Sequence, residues 1–416
     1  MSIVLKKFVN SFFATCPKGL EGVLEQELIN LGATSTKKSS RGVHFKISKE
    51  NIIDIILYSR IASRLQIILF DFDVKKEKDV YLGLKSINWP RFFNLDQTFK
   101  FNFTQGVSET LKKKSQFKNT LYLAMVGKDA LCDRFNAEVG KRPYIDTKNP
   151  DVSITCHLSP KDVQEGKKER LTVMIDLLGS TLGHRGYRLR HQEAPVRENL
   201  AAGLIDLAKW DHETENFIDL TCGSGTFLFE AIIKKLSISP RFTQIPDILD
   251  GHKKWNFQKY KFLDSISRSN QFNIKLRAAL RNYKEKIETK SDPIIHGNDF
   301  SRKTMDQTQT GFQRIGWHHL VSFSTKNAYK FDQFQDEKNL LFSNPPFGER
   351  LDAIDDKVAT LYHEIGENFK QNFKSSRLSI MSSDKQLLGK IRLRADQKNP
   401  FAHGPLDCLL YTYHQL

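Results

Sequence analysis

The first 63 residues alternate between strand-like and helix-like arrangements of apolar side chains. Phe12 to Thr15 predicts a short strand, and the apolar face repeated along Gly19 to Leu31 predicts an amphipathic helix. Apolar and polar residues alternate from Val43 to Ile47, which is the two-residue period of a strand. A second helical pattern covers about Lys49 to Ser63. This β-α-β-α order favours a small sheet with helices on one face.

The middle of the chain, residues 65–187, has a mixed α+β pattern. A helix is predicted from Leu121 to Phe135, and strands are predicted from Val152 to Leu158 and from Leu171 to Leu177. Beyond this part, a helix is predicted from Glu198 to Lys209. From Phe217 onward the pattern is strand, turn and helix, which is typical of a doubly wound α/β domain.

Composition and charge narrow the class of protein. With 39% apolar and 11% aromatic residues among 416, the chain can build real cores, and global disorder is excluded. The formal net charge is +16, and residues 1–150 hold 25 basic and 15 acidic side chains, a net +10. A basic balance of this size favours an acidic partner, with nucleic acid first and an anionic membrane surface second.

Membrane insertion and disulfide scaffolds are not expected. The most apolar stretch, Ile52 to Phe70, contains Asp54, Arg60 and Arg64, whereas a span needs about 20 nearly uncharged residues. The cysteines are odd in number, widely scattered and without metal-ligand spacing: Cys16, Cys132, Cys156, Cys222 and Cys408. We therefore expect a reduced, cytoplasmic protein that holds no metal.

Several basic clusters with interleaved aromatic residues make an RNA-phosphate-binding face an even alternative to plain solvated loops. The residues that we consider for this role are Lys112, Lys113, Lys114, Lys118, Lys167, Lys168, Arg185 and Arg188. Phe117, Tyr122 and Tyr144 are interleaved with these clusters in the sequence.

The stretch from Phe217 to Leu236, FIDLTCGSGTFLFEAIIKKL, predicts a strand, a glycine turn and a helix. Gly223 and Gly225 allow tight backbone turns and a close approach to a ligand. Asp219 ends the strand, where open α/β sheets bind ligands, and its carboxylate suits a cationic or hydroxyl-bearing group. The spacing matches neither a P-loop nor the dinucleotide-binding motif. A glycine turn without any ligand is the alternative.

A second motif, LLFSNPPFGERL, runs from Leu340 to Leu351. The prolines stiffen the turn and remove backbone donors, so that the carbonyl of Pro345 and the side chain of Asn344 offer two neighbouring acceptors. Two acceptors fit the two N–H bonds of an exocyclic amine, and Phe347 offers a flat face to a base. We therefore expect the catalytic residues Asn344, Pro345, Pro346 and Phe347.

The two motifs together resemble those of class I S-adenosylmethionine-dependent amino methyltransferases. Further segments resemble bacterial 23S ribosomal RNA guanine-N2 methyltransferases with a ferredoxin-like region and a THUMP RNA-binding domain. These segments read GLEGVLEQELINLGA, RGVHFKI, SRIASRL, DVYLGLKSINWP, LGSTLGHRGYR and GPLDC, and the resemblance covers nearly the whole chain.

The resemblance also implies which residues bind S-adenosylmethionine. It places at the methionine end Asp219, Cys222, Gly223, Ser224, Gly225 and Thr226. The family's second strand ends in Gly-x-Asp-x-Asp, of which only the first acid is present here, so Asp299 is expected at the ribose hydroxyls. Where the family prefers an Asp for the adenine amine, this chain offers Asn327.

In fold, the resemblance implies a ferredoxin-like region at 1–64, a THUMP domain at 65–187 and a Rossmann-like methyltransferase sheet at 188–416, with a helical insertion at about 237–292. In function, it implies methyl transfer to the N2 amine of a guanosine in large-subunit ribosomal RNA. Two alternatives stay open: a non-enzymatic RNA-binding ribosome-assembly factor, and an amino methyltransferase acting on tRNA, DNA adenine or protein.

Overall fold

The computed structural model describes residues 6–7, 10–106, 115, 117–160, 169–188, 196–346 and 356–415. The strands are β1 (Lys6–Lys7), β2 (Ser11–Thr15), β3 (Thr34–Ser39), β4 (Gly42–Lys46), β5 (Arg64–Val74), β6 (Phe99–Gln105), β7 (Val152–Pro160), β8 (Glu169–Asp176), β9 (Asn216–Asp219), β10 (Ile295–Asn298), β11 (Val321–Ser324), β12 (Asn339–Ser343), β13 (Arg377–Ser382), β14 (Gln397–His403) and β15 (Leu406–His414). The α-helices are α1 (Glu21–Asn30), α2 (Ile52–Tyr58), α3 (Glu77–Ser86), α4 (Thr120–Val139), α5 (Glu198–Leu207), α6 (Thr226–Lys235), α7 (Ile245–Leu249), α8 (Asp264–Ser267), α9 (Asn270–Glu288), α10 (Arg302–Ile315), α11 (Asp356–Asn372) and α12 (Lys385–Gly389). Short 3₁₀ helices lie at Trp89–Arg91, Asn256–Lys259, Lys261–Leu263, His318–Leu320 and Ala328–Lys330.

Local side-chain chemistry fixes the ends of several long helices. The side chain of Asn119 accepts a hydrogen bond from the amide of Tyr122 at the start of α4, and the helix stops at Gly140, whose φ is 72°. Helix α10 uses the same two devices, with Ser301 as its N-cap and Gly316, at φ 79°, as its C-cap.

One continuous sheet carries the N-terminal strands, in the order β3-β4-β2-β5-β8-β7-β6, with β1 added beside β5. Strand β5 is shared: its residues Arg64 to Ile67 pair with β2, and its residues Gln66 to Val74 pair with β8. The predicted boundary between the ferredoxin-like region and the THUMP domain, at residues 64 and 65, therefore falls at the start of a strand that pairs with strands of both regions.

The C-terminal sheet has the order β11-β10-β9-β12-β13-β15-β14. The strands from β11 to β13 are parallel, and β15 pairs antiparallel to β13 and β14. The chain first extends the sheet from β9 through β10 to β11 and then returns to the other side of β9 with β12. Ligands of open α/β sheets bind outside the carboxyl ends of the strands at such a switch point.

Nearly buried charges join the N-terminal layer to the C-terminal one. Asp206 in α5 accepts from Arg60 Nη2 at 2.5 Å and from Lys234 Nζ at 2.7 Å. The hydroxyl of Ser239 donates to the carbonyl of Leu57 at 2.6 Å. The two layers are thus fixed to each other by polar contacts that water reaches poorly.

The segment between α6 and β10 packs against the N-terminal layer as well. Lys259 Nζ lies 2.5 Å from Asp151 Oδ1, and the hydroxyl of Tyr260 donates to the carbonyl of Asp176 at 2.7 Å. Lys275 in α9 pairs with Asp54 at 2.6 Å. This segment coincides with the predicted helical insertion and holds the two sheets together.

The predicted fold class is confirmed: an α+β N-terminal region precedes a doubly wound, Rossmann-like sheet. All five cysteines lie in the described part of the chain and are buried and free. Among the helices that the structure describes, none has the combined length and apolarity of a membrane span.

Candidate active site

Asp219 is the last residue of β9 and is fully buried. Its Oδ1 accepts from the amide of Thr221 at 3.1 Å, whereas Oδ2 has no hydrogen-bond partner among the described residues. Burial raises the pKa of this carboxyl to about 8, and the nearby Asp299 carboxylate contributes to the rise. A buried acceptor without a donor is costly, so this oxygen suits a donor or cation supplied by a ligand.

The glycine turn after β9 depends on two left-handed residues, Gly223 at φ 50° and Gly225 at φ 76°. A Cβ at Gly225 would lie 3.0 Å from side-chain carbons of Phe312 and Thr308. The amide of Gly223 donates to Asp299 Oδ2 at 3.1 Å, which ties the turn to the end of β10. Glycine therefore suits both positions, and at Gly225 a larger residue would in addition crowd Phe312 and Thr308.

Three further predicted cofactor residues lie in or beside this turn. The thiol of Cys222 points at Met305, with 3.7 Å between the two sulfur atoms. Cys222 therefore contributes its backbone, and not its side chain, to the turn. Burial raises the pKa of this thiol well above its usual range. The hydroxyls of Ser224 and Thr226 lie 3.2 Å apart at the start of α6.

Asp299 follows β10 directly and reaches the same sheet edge as Asp219. Its Oδ1 accepts from the amide of Ser301 at 2.9 Å, and the carboxylate keeps further acceptor capacity. Next to it, Phe300 exposes 74% of its surface, which is unusual for a large aromatic side chain. Our sequence reasoning missed Phe300, although an aromatic residue directly after the acid of the second strand was a usable signal.

Asn327 lies at the same edge, beyond the end of β11, and is exposed. It precedes the 3₁₀ helix Ala328–Lys330 and accepts a backbone hydrogen bond from Lys330 at 2.8 Å. The structure thus brings Asp219, Asp299 and Asn327 to the carboxyl ends of three neighbouring strands.

Asn344 follows β12, on the other side of β9. Its backbone amide donates to the hydroxyl of Thr221 at 2.9 Å. That hydroxyl also shares a hydrogen bond of 3.1 Å with the hydroxyl of Ser343. Pro345 is buried and Pro346 is exposed, while Phe347 lies outside the described residues. Thr221, which our sequence reasoning did not single out, therefore connects the glycine turn to the second motif.

The structure corrects one of the predicted RNA contacts, Arg185, and partly buries another, Arg188. Arg185 is fully buried, forms an ion pair of 3.1 Å with Glu230 and donates to the carbonyl of Leu182 at 2.5 Å. Arg188 has 24% of its side chain exposed and pairs with Glu198 at 3.0 Å. The guanidinium of Arg185 is used inside the protein, because Glu230 folds against it, and the prediction that Arg185 binds RNA is wrong. The role of Arg188 in RNA binding stays a prediction, since part of its side chain is accessible.

The remaining predicted RNA contacts divide into two groups. Lys118 is exposed, immediately before the cap of α4. Outside the described residues lie Lys112, Lys113, Lys114, Lys167 and Lys168.

Family models match three parts of the chain. A ferredoxin-like domain model named for RlmL matches residues 11–66, and a THUMP domain model matches residues 74–163. A model described as RMKL-like, methyltransferase domain, matches residues 185–412, more than half of the chain.

Named relatives and solved structures agree with these matches. Ribosomal RNA large subunit methyltransferase K/L of Aliivibrio salmonicida is 34% identical over 97% of this chain and 53% of its own length. The protein of the same name from Psychromonas ingrahamii is 32% identical over 97% of this chain and 50% of its own length. The chain thus spans about half the length of these curated relatives. The crystal structure of SMU.472, a candidate methyltransferase complexed with SAH, superposes with a TM-score of 0.78 at 26% identity over 99% of both chains. By these matches, the chain belongs to the RMKL-like methyltransferase-domain family.

Proposed function

We propose that this chain transfers a methyl group from S-adenosylmethionine to the exocyclic N2 amine of a guanosine in 23S ribosomal RNA. The observation that carries the proposal is the hydrogen bond between Thr221 and the amide of Asn344, which holds a two-acceptor turn beside a glycine turn and a buried carboxylate. The names of the half-matched relatives and the sequence resemblance support ribosomal RNA as the substrate.

The residues at the glycine turn fit S-adenosylmethionine. The unpartnered Oδ2 of Asp219 suits the ammonium group of the methionine part, since a buried carboxylate needs a donor or cation. Gly223 and Gly225 leave room for close approach of a ligand, and Asp299 offers acceptors to the ribose hydroxyls. When bound there, S-adenosylmethionine supplies a methyl group on a positively charged sulfonium, which is an excellent leaving group.

One predicted site residue, Asn327, and one residue that the structure adds, Phe300, suit the adenine ring. Phe300 is exposed next to Asp299 and offers a face on which the ring can stack. Asn327 offers a side-chain carbonyl that can accept from the adenine amine. Neither role needs a charged group, which agrees with an uncharged ring.

Asn344 and Pro345 would act on the substrate amine. The lone pair of the guanine N2 is delocalised into the ring, so the amine is a poor nucleophile. Two acceptors, the side-chain oxygen of Asn344 and the carbonyl of Pro345, take its two N–H groups and aim the lone pair at the methyl group. Phe347 completes this arrangement by stacking on the flipped base. Positioning of this kind requires no strong base.

The N-terminal region would hold the RNA. The net +10 in residues 1–150 and the THUMP match support a phosphate-binding face there. Lys118 is the exposed member of this proposed face, to which we add Lys112, Lys113, Lys114, Lys167 and Lys168. The partner would be large-subunit ribosomal RNA or its precursor in the cytoplasm.

The experiment compares the wild type with Asn344→Ala. Labelled methyl transfer is measured on ribosomal RNA from a strain lacking this gene, on tRNA, on DNA and on total protein, and cofactor binding is measured by calorimetry. We expect wild-type transfer to 23S ribosomal RNA, N2-methylguanosine in the nuclease digest, and no transfer by Asn344→Ala at nearly unchanged cofactor affinity. Transfer to DNA or protein instead of RNA, or wild-type turnover by Asn344→Ala, would contradict the proposal.

A further inference from the structure

Asn298 is the last residue of β10 and is completely buried. Its side-chain Nδ2 donates to the carbonyls of Leu220, at 3.0 Å, and of Lys326, at 2.9 Å. Its Oδ1 accepts from the hydroxyl of Ser324 at 2.7 Å and from the amide of Lys326 at 3.1 Å. An asparagine side chain has two N–H donors and two acceptor positions, so all of its hydrogen-bonding capacity is used.

The partners of Asn298 lie at or just beyond the ends of the two strands on either side of β10. Leu220 follows Asp219, and Lys326 precedes Asn327, while Asp299 is the next residue of β10's own chain. The backbone carbonyl of Asn298 in addition accepts from the amide of Cys222 at 2.8 Å, at the entrance of the glycine turn. The side chain and the backbone carbonyl of Asn298 thus fix the residues adjacent to all three proposed polar contacts of the cofactor.

The network behind Asn298 is also complete. The hydroxyl of Ser324, which donates to Asn298, lies 2.9 Å from Nε2 of His296, and the hydroxyl of Ser322 lies 2.7 Å from Nδ1 of the same ring. Burial lowers the pKa of His296 to about 4, so the ring is neutral at physiological pH. A neutral ring that donates from Nε2 and accepts at Nδ1 satisfies both hydroxyls and orients that of Ser324 toward Asn298.

We propose that Asn298 is a positioning residue for the cofactor site, setting the spacing of the strand ends that carry Asp219, Asp299 and Asn327. The assignment rests on the proposed function, because it concerns the same site. It explains why an amide is needed. Aspartate has no donors for the carbonyls of Leu220 and Lys326, and serine is too short to reach four partners. Asn298 lies on the cofactor side of β9, away from β12 and Asn344.

The chain contains a matched control for this role. Asn339 is equally buried, and its Nδ2 donates to the carbonyls of Phe334 and Glu337, both at 2.7 Å, and to the hydroxyl of Ser376 at 3.1 Å. It is the first residue of β12, at the amino end of a strand whose carboxyl end leads to Asn344. Asn298→Ser and Asn339→Ser therefore remove comparable networks at different distances from the cofactor.

The test measures urea unfolding, S-adenosylmethionine affinity by calorimetry, and the kcat and KM of methyl transfer for the full chain. We expect both serine variants to lose stability. Only Asn298→Ser should bind S-adenosylmethionine more weakly, on the order of ten-fold. In this variant the KM for S-adenosylmethionine should rise, while kcat at saturating cofactor should be nearly unchanged. Ser324→Ala, which removes one donor to Asn298, should show the same split to a smaller extent. It replaces Asn298→Ser in the comparison if that variant does not fold.

Equal losses of affinity in Asn298→Ser and Asn339→Ser would overturn the assignment, as would a fall in kcat with an unchanged KM. The first result describes a generally loosened domain, and the second describes an effect on methyl transfer itself with the cofactor site unmoved. The proposed function fails in a different way, because then the wild type itself binds no S-adenosylmethionine. The two failures are therefore distinguishable.

Discussion

The amide of Asn344 donates to the hydroxyl of Thr221 at 2.9 Å, although 123 positions separate the two residues in sequence. Thr221 belongs to the turn after β9, and Asn344 belongs to the turn after β12. Because β9 and β12 are parallel neighbours, their carboxyl ends meet at one edge of the sheet. A single hydroxyl therefore links the proposed cofactor turn to the proposed amine-binding turn.

Removal of this hydroxyl should affect the chemical step more than cofactor binding. In Thr221→Val the side-chain shape is kept, but the amide of Asn344 loses its acceptor. We expect kcat to fall on the order of ten-fold with little change in the KM for S-adenosylmethionine, since a misplaced acceptor loses the alignment of the reacting amine. Steady-state kinetics check this, and Thr221→Ser should restore most of the rate. A valine variant with wild-type kcat would remove Thr221 from the mechanism.

Replacement of the buried carboxylate should separate stability from cofactor binding. The native pKa of Asp219 is about 8, well above its ordinary value of 3.8, so the folded protein resists an ionisation that the unfolded chain undergoes freely. Stability is therefore lost as the pH rises from about 4 to about 8. Asp219→Asn should raise the free energy of unfolding of the cofactor-free protein by about 1 to 3 kcal/mol at neutral pH.

The same variant should bind S-adenosylmethionine at least about ten-fold more weakly, because the neutral amide cannot neutralise an ammonium group. Urea unfolding and calorimetry measure the two effects on one protein sample. If Asp219→Asn were destabilised and bound the cofactor normally, the carboxylate would be structural.

Cofactor binding should release a proton near neutral pH. A cation next to Asp219 lowers the raised pKa of this carboxyl, so the protonated form present below pH 8 must ionise when the complex forms. Affinity should thus increase with pH up to about 8 and then level off. Calorimetric titrations near pH 7, in buffers of different ionisation enthalpy, should report close to one released proton. Asp219→Asn serves as the control and should release none.

The contact between the two layers should be sensitive to loss of Asp206. This carboxylate pairs with Arg60 at 2.5 Å and with Lys234 at 2.7 Å, and each of the three side chains is less than one-fifth exposed. Asp206→Ala removes the paired carboxylate from Lys234 and leaves Arg60 with only the longer contact of 3.9 Å to Glu27. It should cost about 3 kcal/mol of unfolding free energy.

The matched control for this contact is Asp407→Ala. It breaks a pair with Lys18 of 3.2 Å, in which the side chains are 85% and 61% exposed. This control should cost less than about 1 kcal/mol. Chemical unfolding measures both variants, and similar losses in the two would show that the Asp206 contact is no stronger than a surface pair.

Charge removal at the proposed RNA-binding face should flatten the salt dependence of binding. Replacement of Lys112, Lys113 and Lys114 by alanine should weaken RNA affinity and lower the slope of log K against log salt by about 0.7 to 0.9 for each lost phosphate contact. Filter binding over a range of salt concentrations measures the slope. Alanine at Lys385 and Lys390, which are exposed on and beside α12, provides a control of similar charge. An unchanged slope in the first variant would remove the cluster from the interface.

Periodic segments of the sequence predict much of the fold. The strand predicted from Phe12 to Thr15 is β2, and the helix predicted from Leu121 to Phe135 lies within α4. Both depend on local signals, namely an apolar period and a cap. The helix predicted from Lys49 to Ser63 is shorter, Ile52–Tyr58.

This helix ends early because of a contact from another segment. Glu27 in α1 accepts from the hydroxyl of Ser59 at 2.6 Å and from the amide of Arg60 at 2.8 Å, and these bonds turn the chain out of the helix. A partner more than thirty residues away leaves no trace in the local pattern.

The site divides in the same way. Asp219, Asp299 and Asn344 could be named from the sequence because each follows a recognisable strand or motif. Arg185 could not be assigned correctly, since an arginine-rich loop resembles a solvated one until Glu230 folds against it. Asn298 occupies a position at which the family motif specifies no residue. Its importance lies in four hydrogen bonds to chain segments that sequence spacing does not bring together.

Strand β5 has one more consequence. Because it pairs with β2 at one end and with β8 along the rest, the strands from β1 to β8 form a single sheet and not two separate ones. The contacts of Asp206, Asp151 and Asp54 fasten that sheet to the C-terminal part of the chain. If RNA binds to the N-terminal sheet as proposed, the distance from a bound phosphate to Asn344 is then fixed by the fold. In the proposed reaction, the protein would select its guanosine partly by the distance between that nucleotide and the RNA helix held on the N-terminal sheet.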